Sequence, residues 1–262
     1  MQKGMGARGV LGIVLACCLS GCVTLPPGHT PPPQDPWESW NRGVYKVNDS
    51  IDRAVVKPLA RGYVKVVPSP ARTGVSNFFS NLHTPTTMVN DALQGKFGAA
   101  ASDLARFVVN TTIGVGGLLD PATSMGLDKN DEDFGQTLGH YGVKPGPFIE
   151  LPILGPSDAR DAPAKAVDIF TGPTHYIKNT SVSYGLYGLQ ALDTRAALLP
   201  LDTTLQKVFD PYAFIRDAYL QRRAYLVSDG KGTDEPLVDP GLDEPSDAVT
   251  PPPPPATPPK PQ

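Results

Sequence analysis

The sequence predicts an all-α fold. Apolar residues recur at helical spacing in several stretches, and strict apolar–polar alternation never persists for more than a few residues. The first stripe is Trp37, Trp40, Val44, Val47, Ile51 and Val55, with steps of 3, 4, 3, 4 and 4. Pro58 is expected to end or kink that helix, since it lacks an N–H and its ring crowds the preceding turn. A second pattern begins at Met88, Val89, Ala92 and Leu93. A third follows a glycine break at Leu104, Phe107, Val108 and Thr111. Ala162, Ala166, Ile169 and Phe170 form a short helix stopped by Gly172-Pro173. Tyr176, Ile177, Thr180, Tyr184 and Tyr187 suggest a longer one. Pro211 opens the last, which carries Ile215, Tyr219 and Leu226 on one face.

The chain has 262 residues and 30 prolines, and the prolines divide it. Six lie between positions 26 and 36 and eleven from 236 onward, so residues 22–36 read as a stiff tether and 229–262 as a tail. The tail holds seven acids against two lysines, too little apolar surface to order itself. Residues 37–228 remain as a domain large enough to bury a core. Its charge is close to balanced but uneven. Seven bases crowd residues 39–72, and eight acids stand against four bases in 128–168. The basic stretch suits either lipid phosphates or a solvated helix face.

Residues 1–21 read as a signal peptide. Lys3 and Arg8 precede the apolar run 10–19, which is too short to span a bilayer. Leu19-Ser20-Gly21-Cys22 resembles a bacterial lipobox, in which Cys22 becomes the lipidated first residue of the mature chain; an ordinary secretory signal with an incidental cysteine is the alternative. All three cysteines, Cys17, Cys18 and Cys22, fall in this segment, so the mature chain forms no internal disulfide. Three acyl chains would anchor firmly where one is marginal. By the sorting rule for such lipoproteins, Val23 directs the protein to the outer membrane.

Two stretches are unusual for a water-soluble domain. Residues 107–119 carry no charge, and 171–192 carry only Lys178. Their mixture of apolar residues with Gly, Asn and Thr suits a surface facing acyl chains on one side and protein or water on the other; a buried core helix is the competing reading. Catalytic patterns are missing. The four histidines have no metal-ligand spacing. Gly74-Val75-Ser76-Asn77-Phe78 lacks the second glycine of a nucleophile elbow, and Gly114–Gly117 is not followed by a phosphate-loop lysine. Asp131, Glu132 and Asp133 read as a solvated turn. Neither a cofactor nor a nucleic-acid partner is indicated.

Ordered motifs cover residues 35–228. They begin with Asp35-Pro36-Trp37-Glu38-Ser39-Trp40-Asn41-Arg42 and continue through Asn77-Phe78, Asn81-Leu82 and Leu93-Gln94-Gly95-Lys96. Arg106-Phe107, Asn110-Thr111-Thr112-Ile113-Gly114 and Asp120 follow. The most specific piece is Asp133-Phe134-Gly135-Gln136-Thr137-Leu138-Gly139-His140-Tyr141-Gly142-Val143; Asp193-Thr194-Arg195 and Asp210-Pro211-Tyr212 close the series. This array resembles the MlaA/VacJ family of outer-membrane lipoproteins. The resemblance implies a ring-like helical protein embedded in the inner leaflet of the outer membrane, bound to a trimeric porin. Through its amphipathic channel phospholipids leave the outer leaflet for a periplasmic carrier of the Mla type, which preserves lipid asymmetry. On that reading Cys22 is the lipid anchor, and Asn41, Arg42, Asn110, Gly114, Gly142 and Gly146 are candidate channel or gating residues, with 139–147 as a hinge loop. A porin-associated scaffold that passes no lipid is the runner-up; a lipid hydrolase is disfavoured by the missing elbow.

Overall fold

The computed structural model describes Val23, Leu25 and residues 28–231. The signal peptide, Cys22 and nearly all of the acidic tail lie outside the described residues.

Helix α1 (Glu38–Ile51) passes through one π-helical turn (Asp52–Val56) directly into α2 (Lys57–Val66). Of the two expectations at Pro58, an end or a kink, the end does not occur: the helix changes type just before it and continues. Pro58 lies within a continuous helical run, and the π turn just before it is where the hydrogen-bond ladder adjusts to its ring and missing N–H. Helix α3 (Ser69–Leu93) spans 25 residues with Pro85 inside it. The Met88–Leu93 pattern is therefore the end of a helix rather than its beginning. Helix α4 (Phe97–Thr112) turns back against α3 in the most extensive helix pairing of the structure. Two short helices follow, α5 (Pro121–Ser124) and α6 (Phe134–His140), capped by the side chains of Asp120 and Asp133.

The purely helical expectation needs one addition. Strands β1 (Phe148–Leu151) and β2 (Gly155–Asp158) form an antiparallel hairpin, with Phe148 opposite Asp158 and Leu151 opposite Gly155. Asn48 clips its turn to α1, donating to the Leu151 carbonyl at 2.9 Å and accepting from the Ile153 N–H at 2.8 Å. Helix α7 (Asp161–Thr171) ends at Gly172 as predicted. Tyr176 lies in a short 3-10 turn (Pro173–Tyr176), and the long helix α8 (Thr180–Leu198) starts later, capped by Asn179. After α9 (Asp202–Leu205), Pro211 opens α10 (Pro211–Val227) behind its Asp210 cap. Helix α8 packs on α2 and α3, while α6 packs on α7 and α10.

Polar side chains fasten the two ends of the domain together. Asp35 is wholly buried and accepts hydrogen bonds from Asn41 Nδ2 at 2.7 Å and Tyr212 Oη at 2.5 Å. Arg42 bridges Glu38 in α1 to Asp210 before α10 and lies over the Tyr212 ring. A second network joins α6, α7 and α10, where Arg223 grips Asp133 with two hydrogen bonds and Tyr219 donates to Asp161.

The distribution of polarity is the reverse of that in a water-soluble globule. Among the described residues nine apolar side chains are buried, five of them alanine, against 21 polar or charged ones. Thirty large apolar side chains are exposed. So many outward-facing apolar groups mark a surface built for an apolar or partner environment. No helix among the described residues is long and apolar enough to cross a membrane.

Candidate functional site

The inversion is clearest in α4. Ala100, Asp103, Arg106 and Asn110 recur every three or four residues and are buried. Phe97, Leu104 and Val108 face outward at 72 %, 50 % and 50 % exposure. The inward face of α4, together with α3 and the end of α8, encloses a polar cavity of about 380 Å³. Ser76, Asn77, Asn81 and Thr87 enter it from α3, and Gln190 and Asp193 from α8. Asp120 and the loop residues Lys129, Asn130 and Asp131 complete the wall.

One ion pair supports this wall. Arg106 Nη2 lies 3.0 and 2.8 Å from the two Asp120 carboxylate oxygens, and Nη1 donates to the Leu127 carbonyl at 2.6 Å. Burial pushes the Asp120 carboxyl upward, but hydrogen bonds from Thr123 and Asn110 and the Arg106 charge hold it below the usual carboxylate range. Asn110 donates to Asp120 at 2.9 Å and accepts from the Ala122 N–H at 3.1 Å, so it ties α4 to α5.

Between α3 and α4, Asp91 and the cavity residue Asp103 are both almost fully buried. Neither Asp91 oxygen meets a donor, and nor does Asp103 Oδ2. A proton held by one acid and shared with the other gives at most two of these three oxygens a partner. Burial first, then the Asp103 hydrogen bond and charge, push the Asp91 carboxyl up to about 8, so Asp91 keeps its proton at neutral pH.

The sequence-predicted residues separate into two groups. Asn110 lines the cavity, and Gly114 shapes the turn that follows it. A Cβ on Gly114 would lie 2.4 Å from the Asn110 carbonyl oxygen, so the chain needs glycine there. Asn41 and Arg42 do not line the cavity. Asn41 binds Asp35, the Phe148 carbonyl and the Glu150 N–H, fixing the hairpin to α1, and Arg42 closes the two ends of the domain. Gly142 and Gly146, both at positive φ, lie in the exposed loop before β1, also off the cavity wall. The turn at 131–133 is not simply solvated: Glu132 is buried and accepts from Gln94 and Lys96, and Asp133 caps α6. Asp103, Lys129 and Asn130 are cavity residues that sequence reasoning missed. For Asp103 a signal existed, because it shares the helical period of Arg106 and Asn110 opposite the Leu104/Val108 face. Among the described residues no group of three potential metal ligands converges.

The family model described as MlaA lipoprotein matches residues 33–226. This chain belongs to the MlaA lipoprotein family. The intermembrane phospholipid transport system lipoprotein MlaA of Escherichia coli is 38 % identical over 201 residues, covering 75 % of this chain and 80 % of its own. Its Haemophilus influenzae counterpart is 35 % identical over 210 residues, with 75 % and 80 % coverage. A solved structure bearing on maintenance of bacterial outer-membrane lipid asymmetry shares the fold with a TM-score of 0.67 and 36 % identity, covering 74 % of this chain and 98 % of that one. Helical architecture and family thus agree, and the polar cavity belongs to the matched MlaA region.

Proposed function

We propose that this MlaA-family protein is a non-enzymatic component of intermembrane phospholipid transport, which takes phospholipids mislocalised in the outer leaflet and passes them to a periplasmic carrier. The observation that carries this reading is the two-faced α4: Phe97, Leu104 and Val108 outside, Asp103, Arg106 and Asn110 inside, around a polar cavity. A phospholipid needs both surfaces. Its charged head cannot cross hydrocarbon bare without a large free-energy cost, and its tails have no place in water. An apolar exterior with a polar interior meets both requirements without chemistry.

On this reading the mature chain is anchored through acylated Cys22 in the inner leaflet of the outer membrane, facing the periplasm, with a trimeric porin as its membrane partner. The domain 37–228 does the work, 22–36 acts as its tether and 229–262 as a solubilising tail. The loop 139–147 acts as a gate: Gly142 and Gly146 hold left-handed backbone that other residues adopt only with strain. Asn110 and Gly114 shape the passage, and Asn41 and Arg42 control it indirectly by holding the domain closed.

The discriminating test uses the detergent-extracted lipoprotein. It should retain phospholipid and hand it to the carrier in a vesicle assay. Porin binding without any lipid transfer would favour a scaffold instead.

A further inference from the structure

A stiff proline-rich tether reaches outward. The steps from Val23 to Asp35, at ~3.1 Å each in polyproline geometry, would carry the chain nearly 40 Å. The contacts of this segment place its two ends together instead. The Val23 N–H donates to the Ser39 carbonyl at 3.2 Å, and the Val23 carbonyl accepts from Ser39 Oγ at 2.5 Å. Ser39 belongs to the first turn of α1, which begins just after Asp35.

Other contacts hold the path between them. His29 Nε2 lies 2.8 Å from Glu38 Oε2. Glu38 is buried. Burial pushes its carboxyl upward, but hydrogen bonds from His29 and Arg42 and the Arg42 charge hold it below the usual carboxylate range. Glu38 is therefore an anion that only accepts, so the His29 ring is the donor. The same carboxylate takes Arg42 Nε at 2.7 Å, and Arg42 also binds Asp210. The segment and the clamp between the two ends of the domain thus share one acceptor. Further along, the Gln34 carbonyl accepts from the Phe148 N–H of the hairpin at 2.7 Å.

The turn that receives Val23 also carries the chain's only two tryptophans, Trp37 and Trp40. Trp37 is 49 % exposed and Trp40 is half-buried. Tryptophan is enriched where a membrane meets water, because its ring is apolar and its N–H polar. Cys22 is bonded to Val23, and consecutive Cα atoms are ~3.8 Å apart. Whatever Cys22 carries starts one residue from this turn.

We propose that residues 23–35 are a strap bound back onto the first turn of α1, so that the acyl chains of Cys22 enter the leaflet beside Trp37 and Trp40 and seat that turn at head-group level. A strapped domain cannot swing into the periplasm on its anchor. The seat rests on the lipid-anchor reading above; the strap does not.

The test places spin labels on the full lipoprotein at Leu25→Cys and Ser50→Cys. An acylated Cys22 takes no label, and the mature chain has no other cysteine. Ser39 and Ser50 are about 17 Å apart along α1 at ~1.5 Å per residue. The strap predicts one narrow distance near ~20 Å, and an extended arm a broad spread reaching ~40 Å. His29→Ala with Ser39→Ala, its folding checked by a melting curve, should broaden the distances toward the free arm. A broad spread in the labelled parent, or an unchanged distance in the release variant, would overturn the strap. In vesicles the tryptophan emission of the wild type should fall by about half with phospholipids brominated high on their acyl chains. Unquenched emission would overturn the seat. Intact mass tests the anchor separately: a chain without acyl groups would remove the lipid-anchor reading and the seat with it, while the narrow distance would still support the strap.

Discussion

Arg106 and Asp120, fourteen residues apart, meet through one guanidinium nitrogen placed 3.0 and 2.8 Å from the two carboxylate oxygens. The pair fixes the inward face of α4 to the segment that closes the cavity. Removing one member of a buried pair leaves an uncompensated charge, at a cost of ~3–5 kcal/mol. Asp120 is partly exposed, so Arg106→Gln should cost about 3 kcal/mol, near the lower end. Combining it with Asp120→Asn should recover part of that loss. Chemical unfolding in detergent measures both; a double variant no better than the single would contradict the pairing.

The turn after α4 separates glycines by their surroundings. Gly116 has φ +69° and open space where a Cβ would go, so Gly116→Ala carries only the left-handed cost of roughly 1–2 kcal/mol. At Gly117 the Cβ would also lie 2.7 Å from Asn81, adding an overpacking cost of ~1–3 kcal/mol. Gly117→Ala should therefore lower stability and cellular abundance clearly more than Gly116→Ala. Equal loss would show that the turn is more plastic than its geometry implies.

Lipid contact along the outer face of α4 predicts a clean split between folding and membrane association. Leu104→Lys with Val108→Lys places two charges on half-exposed positions, where a water-facing surface would lose under about 0.5 kcal/mol each. In hydrocarbon each lysine costs up to ~3 kcal/mol. For the unlipidated mature chain, vesicle binding should fall at least tenfold while its melting temperature in detergent stays within a few degrees. Undiminished binding would place that face away from lipid.

Stability should fall as pH rises from about 5 to 8. Burial raises Asp91 to about 8 and Glu150 to about 7 in the folded chain. An acid whose folded pKa is raised releases its proton more easily when unfolded, so its stabilising contribution is complete below the unfolded value and disappears as pH passes the folded value. Acids with lowered values, such as Asp133 and Asp161, act in the opposite sense at lower pH, outside this window. Each titrating group contributes a slope of at most about 1.4 kcal/mol per pH unit. Asp91→Asn should flatten the curve between pH 7 and 8, leaving the Glu150 slope below. An unchanged curve would mean that Asp91 does not hold the proton.

Much of the fold was legible in the sequence, for local reasons. Pro211 announced α10, and Gly172-Pro173 ended α7 where backbone freedom and a missing N–H say a helix must stop. The start expected at Met88 was wrong, because the helix that ends at Leu93 begins at Ser69 and runs through Pro85 in its interior. The hairpin escaped notice because two four-residue strands are too short to establish a period, and Asn41 and Asn48 supply its anchorage from over a hundred residues away. In the site, Asn110 and Gly114 were reached through family motifs. Asp103 was not, since a polar stripe on a helix ordinarily faces solvent, and only the packed structure reveals the inversion.

The most direct measurement is the phospholipid content of the outer leaflet in cells lacking this gene, with the wild type restored on a plasmid. Outer-leaflet phospholipid should rise on deletion and return to normal on complementation. A leaflet that stays free of phospholipid without the protein would contradict a role in removing it.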